Sequence, residues 1–476
     1  LFNKKYIISI DQGTTSSRTI LFDTEGRLIK QYQAQIQQTY TANNNVEQDL
    51  NDLWTNQLKT LKQCLNEVNH DEIACIGITN QRETFGFWDK KVQPYSNAIS
   101  WQCRRSEDRL NKLGHLSESI AKITGLRLDA YFSAGKIAQL LEESPALRSK
   151  LHNDELIGGT VDTFLLAKLT AGRIHVTDPS NACRTMLYDI NKLKWSQELL
   201  KEFAIPENFL PSVKPSNFEF GFTDEKIVGA EIPIHSLIGD QQAALYGHGC
   251  FKEGEAELTC GTGGFLLLNT GKRREDREGN LCSIAWQTSN EDPVYCLEAA
   301  ILTMGSMFEY LKRLGLLDDR VISSIQSNDK IEESLFIMPT LMGFGSPYWE
   351  KHPKCSIIGL RASMEAQDIF KALIQGFACR VKQIVQKLPR ISTLKIGGGI
   401  ANNNYFCQFL ADLLELKIER AANLECTAWG AARMAYEGMG FEIKVSDKLK
   451  NTTFQPNPNK KTFQYYDLWE NELMRA

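Results

Sequence analysis

The chain has 476 residues, 42% of them hydrophobic and 24% charged, which places it in the ordinary globular range with enough length for two or three domains, each burying its own core. Lys and Arg number 54 against 58 Asp and Glu, a formal net charge of −4, so there is no surplus of basic charge to track a phosphodiester backbone and nucleic acid is not an expected partner. Apolar runs such as Phe265 to Leu268 or Ile73 to Ile78 fall far short of the about 20 residues a spanning helix needs, so no membrane insertion is expected.

Tyr6 to Asp11 is a β-branched-rich run ending in Gln12-Gly13-Thr14-Thr15-Ser16-Ser17, and Arg18 to Asp23 follows as a second strand pattern. The first predicted element is therefore a hairpin with a hydroxyl-rich tip. Leu50, Leu53, Trp54, Leu58, Leu61, Leu65 and Val68 keep helical spacing, and Glu72 to Thr79 reads as a buried strand. Strand and helix patterns continue to alternate, which defines an α/β class. Leu237-Ile238 is a short strand running through Gly239-Asp240-Gln241-Gln242 into an Ala-rich helix. The opening pattern then recurs, with a strand from Ala256 to Cys260, a turn from Gly261 to Gly264 and a strand from Phe265 to Asn269. We read this as a structural repeat with a boundary near residue 249, giving domains 1–248 and 249–476. Farther on, Ile301 to Leu314 is predicted helical and Leu335 to Pro339 a strand, with a turn-rich loop from Phe344 to Tyr348. A strand ending in Gly397-Gly398-Gly399 precedes a helix from about Asn403 to Leu414, and the polar, Pro-dotted tail after Asn451 is expected to be peripheral.

The 12 cysteines contain no C-x-x-C pair and most have apolar neighbours, so they read as buried free thiols of a reducing compartment, and a cytoplasmic location is expected. No two of the seven histidines lie three or four residues apart, which leaves no zinc constellation to propose. The N-terminus enters a strand pattern without an extended apolar signal region.

A glycine-and-hydroxyl turn between two strands can aim backbone N–H groups and hydroxyls at an anion. Gly13 to Ser16 and Gly261 to Gly263 are two such turns, one opening each half. Either alone reads equally as a tight hairpin. No G-x-x-x-x-G-K-[ST] and no complete G-x-G-x-x-G is present, so P-loop and dinucleotide-binding folds lose their signatures. What remains is a phosphate grip split between two halves, with Gly397 to Gly399 able to let a nucleotide approach the backbone.

Asp11-Gln12-Gly13-Thr14-Thr15-Ser16-Ser17-Arg18, Asn80-Gln81-Arg82-Glu83-Thr84, Trp101-Gln102-Cys103-Arg104-Arg105, Gly239-Asp240-Gln241-Gln242-Ala243-Ala244-Leu245 and the 261–264 turn together resemble the glycerol kinases among the FGGY carbohydrate kinases, in the actin and hexokinase superfamily. The resemblance runs in order from about residue 5 to residue 440, with the five motifs at compatible spacing within it. The resemblance implies two duplicated ribonuclease H-like (actin-like ATPase) domains with the active site in the cleft between them. It implies ATP and Mg²⁺ as cofactors, glycerol as substrate, and a homodimer or homotetramer. Asp240 is implied as the general base, a role compatible with its alternative reading as a helix N-cap. Asp11, otherwise readable as a turn-initiating Asp, is implied with Asp240 to help hold Mg²⁺, Asp11 through water.

The resemblance further implies a triol site of Arg82, Glu83, Trp101, Tyr131, Asp240, Gln241 and Phe265. Carboxylates accept from hydroxyls there, Arg82 and Tyr131 donate, and Trp101 and Phe265 cover C–H edges. Taken alone, Arg82 and Glu83 read as a surface ion pair and the aromatics as core. Thr14, Thr15, Ser16, Arg18, Thr262, Gly305, Gly399 and Asn403 match nucleotide-contacting positions. Glu309 stands near the nucleoside where bacterial relatives carry Gln, and Gln139 stands where relatives commonly have Trp. Glu231 lies where some place an Arg for a phosphorylated-sugar effector, so inhibition of that type is not expected. Two other readings stand beside this one. A kinase for another polyol or sugar is disfavoured by the bulk of Trp101 and Phe265, which favours a three-carbon substrate, and a silent actin-like ATP-binding scaffold by the retention of Asp11 and Asp240.

Overall fold

The computed structural model describes residues 4–41, 45–274, 279–289, 291–318, 320–321, 325, 331–350, 355–422, 425–443, 450–457 and 459–473. Two compact units emerge. The first combines Leu1–Gly247 with Cys282–Tyr295 and Cys426–Lys448, and the second combines His248–Leu281 with Cys296–Glu425 and Leu449–Ala476. No helix among the described residues is long and apolar enough to cross a membrane. All cysteines are free, and all but Cys355 are buried.

In the first unit five strands lie in the order Ile234–Gly239, Ile73–Asn80, Tyr6–Gln12, Ser16–Asp23 and Leu28–Gln35. Tyr6–Gln12 pairs antiparallel with Ser16–Asp23 and parallel with Ile73–Asn80, which pairs parallel with Ile234–Gly239. Every residue of Ile73–Asn80 is buried, as expected of a central parallel strand covered on both faces. Side chains alternate across such a strand, so Ile8 and Ile10 face one way and Ile7 the other. Ile8 and Ile10 join Leu50, Leu53, Leu61 and Leu65 in one core. Those leucines belong to the helix Leu50–Leu65, whose start is fixed by Asp49 accepting the Asn51 amide at 2.8 Å. The helix ends three residues before Val68, which still packs against that core from beyond it.

On the opposite face Ile7, Ile20, Phe22, Ala74 and Cys75 meet Ala428, Trp429, Ala432 and Ala435 of the helix Cys426–Gly438. That helix comes from late in the chain, so the first unit is not closed by a single cut near residue 249. Its leading segment ends at Gly247 and later segments return to it. The reason is steric as well as hydrophobic. A Cβ on Gly430 would lie 1.8 Å from the Ala243 carbonyl oxygen, so only glycine lets this helix touch the backbone of the helix Asp240–Gly247.

A smaller sheet of the first unit runs Thr39–Tyr40, Val46–Gln48, Ala98–Ile99, Phe85–Asp89, Leu156–Thr160. It sets Gln48 opposite Ala98 and Phe85 opposite Ile99, which gathers three distant stretches of chain at the residues following Thr84 and preceding Trp101.

The second unit repeats the core topology of the first. Glu255–Cys260 pairs antiparallel with Gly264–Gly271 and parallel with Thr393–Gly397, which pairs parallel with Ile418–Arg420. Two expectations from sequence are corrected here. Ile301 does not open a helix; it closes the buried strand Val294–Ile301, and the helix runs Gly305–Arg313. The apolar run up to Ile301 is buried on both faces, so periodicity alone could not separate it from the helix beyond. The tail is not peripheral either. Its helix Lys460–Leu473 buries Tyr465 and Trp469, with Tyr465 Oη donating to the Leu335 carbonyl at 3.1 Å and Trp469 Nε1 to the Ile337 carbonyl at 2.9 Å. Tyr465 and Trp469 are four residues apart, one face of a helix, and that outweighs the polar composition around them.

Candidate active site

Parallel pairing sets Gln12, Asn80 and Gly239 in one row at the carboxyl ends of three adjacent strands. Asp11 lies one residue before this row, and Arg82, Glu83 and Asp240 follow it, so the register gathers three carboxylates and a guanidinium at one edge. Carboxyl edges of parallel strands are where open α/β sheets bind ligands.

Asp240 is the first residue of its helix. Its Oδ1 accepts the Gln241 amide at 2.8 Å and lies 3.1 Å from Arg82 Nε, while Arg82 Nη1 donates to Gln242 Oε1 at 3.1 Å. Although 28% of its side-chain surface is open, burial is the largest influence on the carboxyl and pushes its pKa up to about 7. Arg82 pulls the other way, while Glu83 and Asp11 add to the rise. Asp11 ion-pairs with Arg18 directly across the hairpin.

Arg82 and Glu83 do not make the surface pair that their adjacency suggests; each is buried and reaches a distant partner. Glu83 sits at φ 62°, in the left-handed region, with its carbonyl accepting from Ser133 Oγ at 2.8 Å. Its Oε1 lies 2.6 Å from Arg184 Nε, and Arg184 Nη1 donates to Ser283 Oγ at 3.0 Å. The Arg184 guanidinium also lies over the rings of Tyr131 and Phe132, at 5.6 and 5.2 Å. Tyr131 meets Trp101 edge to face at 5.6 Å. Lys136 Nζ ties the two together by donating to the Trp101 carbonyl at 3.1 Å and the Tyr131 carbonyl at 2.7 Å, and burial lowers the pKa of this ammonium to about 7. At the hairpin tip the Gly13 amide donates to the Ser16 carbonyl at 3.0 Å, Thr15 is exposed, and Thr14 Oγ1 accepts from Trp101 Nε1 at 2.9 Å.

The first unit therefore carries Asp11, Thr14, Thr15, Ser16, Arg18, Arg82, Glu83, Trp101, Tyr131, Asp240 and Gln241. The second carries Thr262, Phe265, Gly305, Glu309, Gly399 and Asn403. There, the Gly305 amide donates to the Gly261 carbonyl at 2.9 Å and the Ser306 amide to the Thr262 carbonyl at 3.1 Å, which holds the hairpin tip on the start of the helix Gly305–Arg313. Gly398, at φ 86°, lies so close to Cys260 that a Cβ would come within 2.4 Å of its carbonyl oxygen. A Cβ on Gly399 would meet nothing within 4 Å. Asn403 caps the helix Asn404–Leu414 by accepting the Phe406 amide at 2.9 Å, Phe265 is half-buried, and Glu309 is exposed.

Arg184, Gln242 and Lys136 were not singled out as site residues from sequence. Lys136 sits within an otherwise buried helix face, a signal that could have found it. Arg184 lies in the aperiodic stretch Pro179–Thr185, where nothing distinguishes a buried guanidinium from an exposed one.

A glycine- and threonine-bearing hairpin followed by parallel strands, built twice, with carboxylates gathered at the carboxyl edge of the first copy, is the architecture of a two-domain α/β carbohydrate kinase of the actin-like ATPase fold, and the comparisons with known proteins carry the activity. Models of the FGGY family of carbohydrate kinases match the chain, the N-terminal domain over residues 6–247 and the C-terminal domain over residues 256–438. The chain belongs to that family. It is 38% identical over 491 residues to a glycerol kinase of Thermoanaerobacter pseudethanolicus and 39% identical over 494 residues to one of Carboxydothermus hydrogenoformans, covering 99% of this chain and 98% of each relative. A solved glycerol kinase of Plasmodium falciparum with ADP superposes with a TM-score of 0.90 at 31% identity, over 99% of this chain and 98% of that one. A gluconate kinase of Lactobacillus acidophilus shares the fold, with a TM-score of 0.86 over 99% of this chain and 98% of that one at 18% identity.

Proposed function

We propose that this protein transfers the γ-phosphoryl group of ATP to a terminal hydroxyl of glycerol, giving glycerol 3-phosphate and ADP. The observation that carries this reading is the end-to-end identity of 38–39% to glycerol kinases, against 18% for the gluconate kinase of the same fold. The first unit supports it. Asp240 takes the proton of the attacking hydroxyl, whose oxygen bonds the γ-phosphorus as the bond to the bridging oxygen of ADP breaks. Arg82 and Gln241 flank Asp240, Glu83 accepts from a second hydroxyl, and Trp101 and Tyr131 cover the carbon chain. In the first unit Thr14, Thr15, Ser16 and Arg18 are the phosphate contacts of this reading; in the second, Thr262 is its phosphate contact, Phe265 its cover for the carbon chain, and Gly305, Glu309, Gly399 and Asn403 its nucleoside contacts.

Among the described residues no group of three or more His, Cys, Asp or Glu could hold a metal ion. Asp11 and Asp240 are hard oxygen donors at the strand edge, and Mg²⁺ uses one or two carboxylates together with substrate phosphates and water. When bound, the ion would neutralise phosphate charge during transfer.

Two outcomes follow. In an assay of ADP release, glycerol is expected to give the highest kcat/KM. Propane-1,2-diol should be slower by about 10-fold or more, because a buried partner left unpaired costs about 1–3 kcal/mol, and xylulose or gluconate should be negligible. A pentose or hexose outcompeting glycerol would refute the substrate while leaving the family intact. Second, a base of pKa about 7 must lose its proton to act, so kcat/KM should rise about tenfold per pH unit below 7 and level off above it. A flat profile from pH 6 to 8 would remove Asp240 as the titrating base.

A further inference from the structure

Residues outside the proposed site close a hydrogen-bonded ring inside the first unit. Gln48 Nε2 donates to the Thr14 carbonyl at 2.6 Å, and Gln48 Oε1 accepts from Gln81 Nε2 at 2.8 Å. Gln81 Nε2 also reaches the Gly13 carbonyl at 3.3 Å. Gln81 Oε1 accepts from the Thr84 hydroxyl at 3.1 Å, and Thr84 Oγ1 in turn accepts the Trp101 backbone amide at 3.1 Å. Trp101 Nε1 closes the ring on Thr14 Oγ1 at 2.9 Å. Gln48, Gln81 and Thr84 are buried.

The sense of each bond is fixed. A threonine hydroxyl has one proton, and Thr84 places its own on Gln81, so its lone pairs are left for Trp101. Thr14 accepts the indole N–H, which leaves its hydroxyl proton for another acceptor and makes that proton a stronger donor.

We infer that Thr84, with Gln81 and Gln48, is a positioning residue that couples the phosphate-facing hairpin tip to the Trp101 wall, so that nucleotide and polyol strengthen each other's binding. An anion accepting from Thr14 makes its oxygen a better acceptor for the Trp101 indole, and the tip and the wall are then ordered once for both ligands. The coupling is reciprocal, because it is one free energy shared by two equilibria. The inference rests on the placement of nucleotide and glycerol proposed above.

Calorimetric titration of the full chain with glycerol, with and without a nonhydrolysable ATP analogue and Mg²⁺, tests it. In the unaltered protein the analogue is expected to tighten glycerol binding about 5-fold or more, a typical allosteric coupling. Thr84→Val, which keeps the shape and removes the hydroxyl, should bind glycerol alone within about 2-fold of the unaltered protein and lose most of that enhancement, whereas Thr84→Ser should keep it. Gln48→Met, which cuts the ring at its other end, should behave as Thr84→Val does and serves if the latter does not fold. Full enhancement in Thr84→Val or Gln48→Met would overturn the inference. So would glycerol binding without enhancement in the unaltered protein, or loss of binding of glycerol alone in Thr84→Val. No glycerol binding by the unaltered protein would instead overturn the substrate reading, and this inference with it.

Discussion

Asp240→Asn is expected to lower kcat by about 10²-fold or more while the protein stays folded and still binds ATP. The asparagine keeps an oxygen for the Gln241 amide and removes the carboxylate charge opposite Arg82 together with the capacity to take a proton. Stability gives a second readout with a defined sign. The folded pKa of Asp240 is raised from 3.8 to about 7, so the folded state holds more protons than the unfolded chain between those values, and stability from this group declines as pH rises through that window. The variant lacks the titration, so its stability should fall less between pH 4 and 7 when denaturation midpoints are compared across pH. Near-normal turnover would refute the base assignment, and an unchanged pH slope would refute the burial that shifts the group.

Arg184→Met is expected to destabilise the protein by about 3–5 kcal/mol, measured by chemical denaturation, because it leaves Glu83 charged and buried without its guanidinium. The pair is closed at 2.6 Å with side-chain exposures of 0% for Arg184 and 2% for Glu83, so little water reaches the carboxylate of the substrate-free protein to offset the lost partner. Adding Glu83→Gln to Arg184→Met should recover a large part of the loss, since the uncompensated charge is then gone. If the single variant falls by under about 1 kcal/mol, the pair behaves as an exposed one and its placement is wrong.

Much of the chemistry was legible in the sequence because it is local. The hairpin with its hydroxyl tip, the strand leading to Asp240 at a helix start and the recurrence of the pattern after residue 255 are all set by side-chain alternation and turn chemistry within a few residues. Motif identity then pointed to the family without any knowledge of packing. Only the tertiary structure decided which partner each charge takes. Arg82 pairs with Asp240, 158 positions away, and Glu83 with Arg184, 101 away, although the two are neighbours in sequence. It also brought the helix Cys426–Gly438 back onto the first sheet and buried Tyr465 and Trp469 of a polar tail. The physical reason is the same in each case. Burial of a charge, or of a sheet's second face, is settled by which distant segment excludes water there, and that choice leaves no periodic trace in the residues on either side.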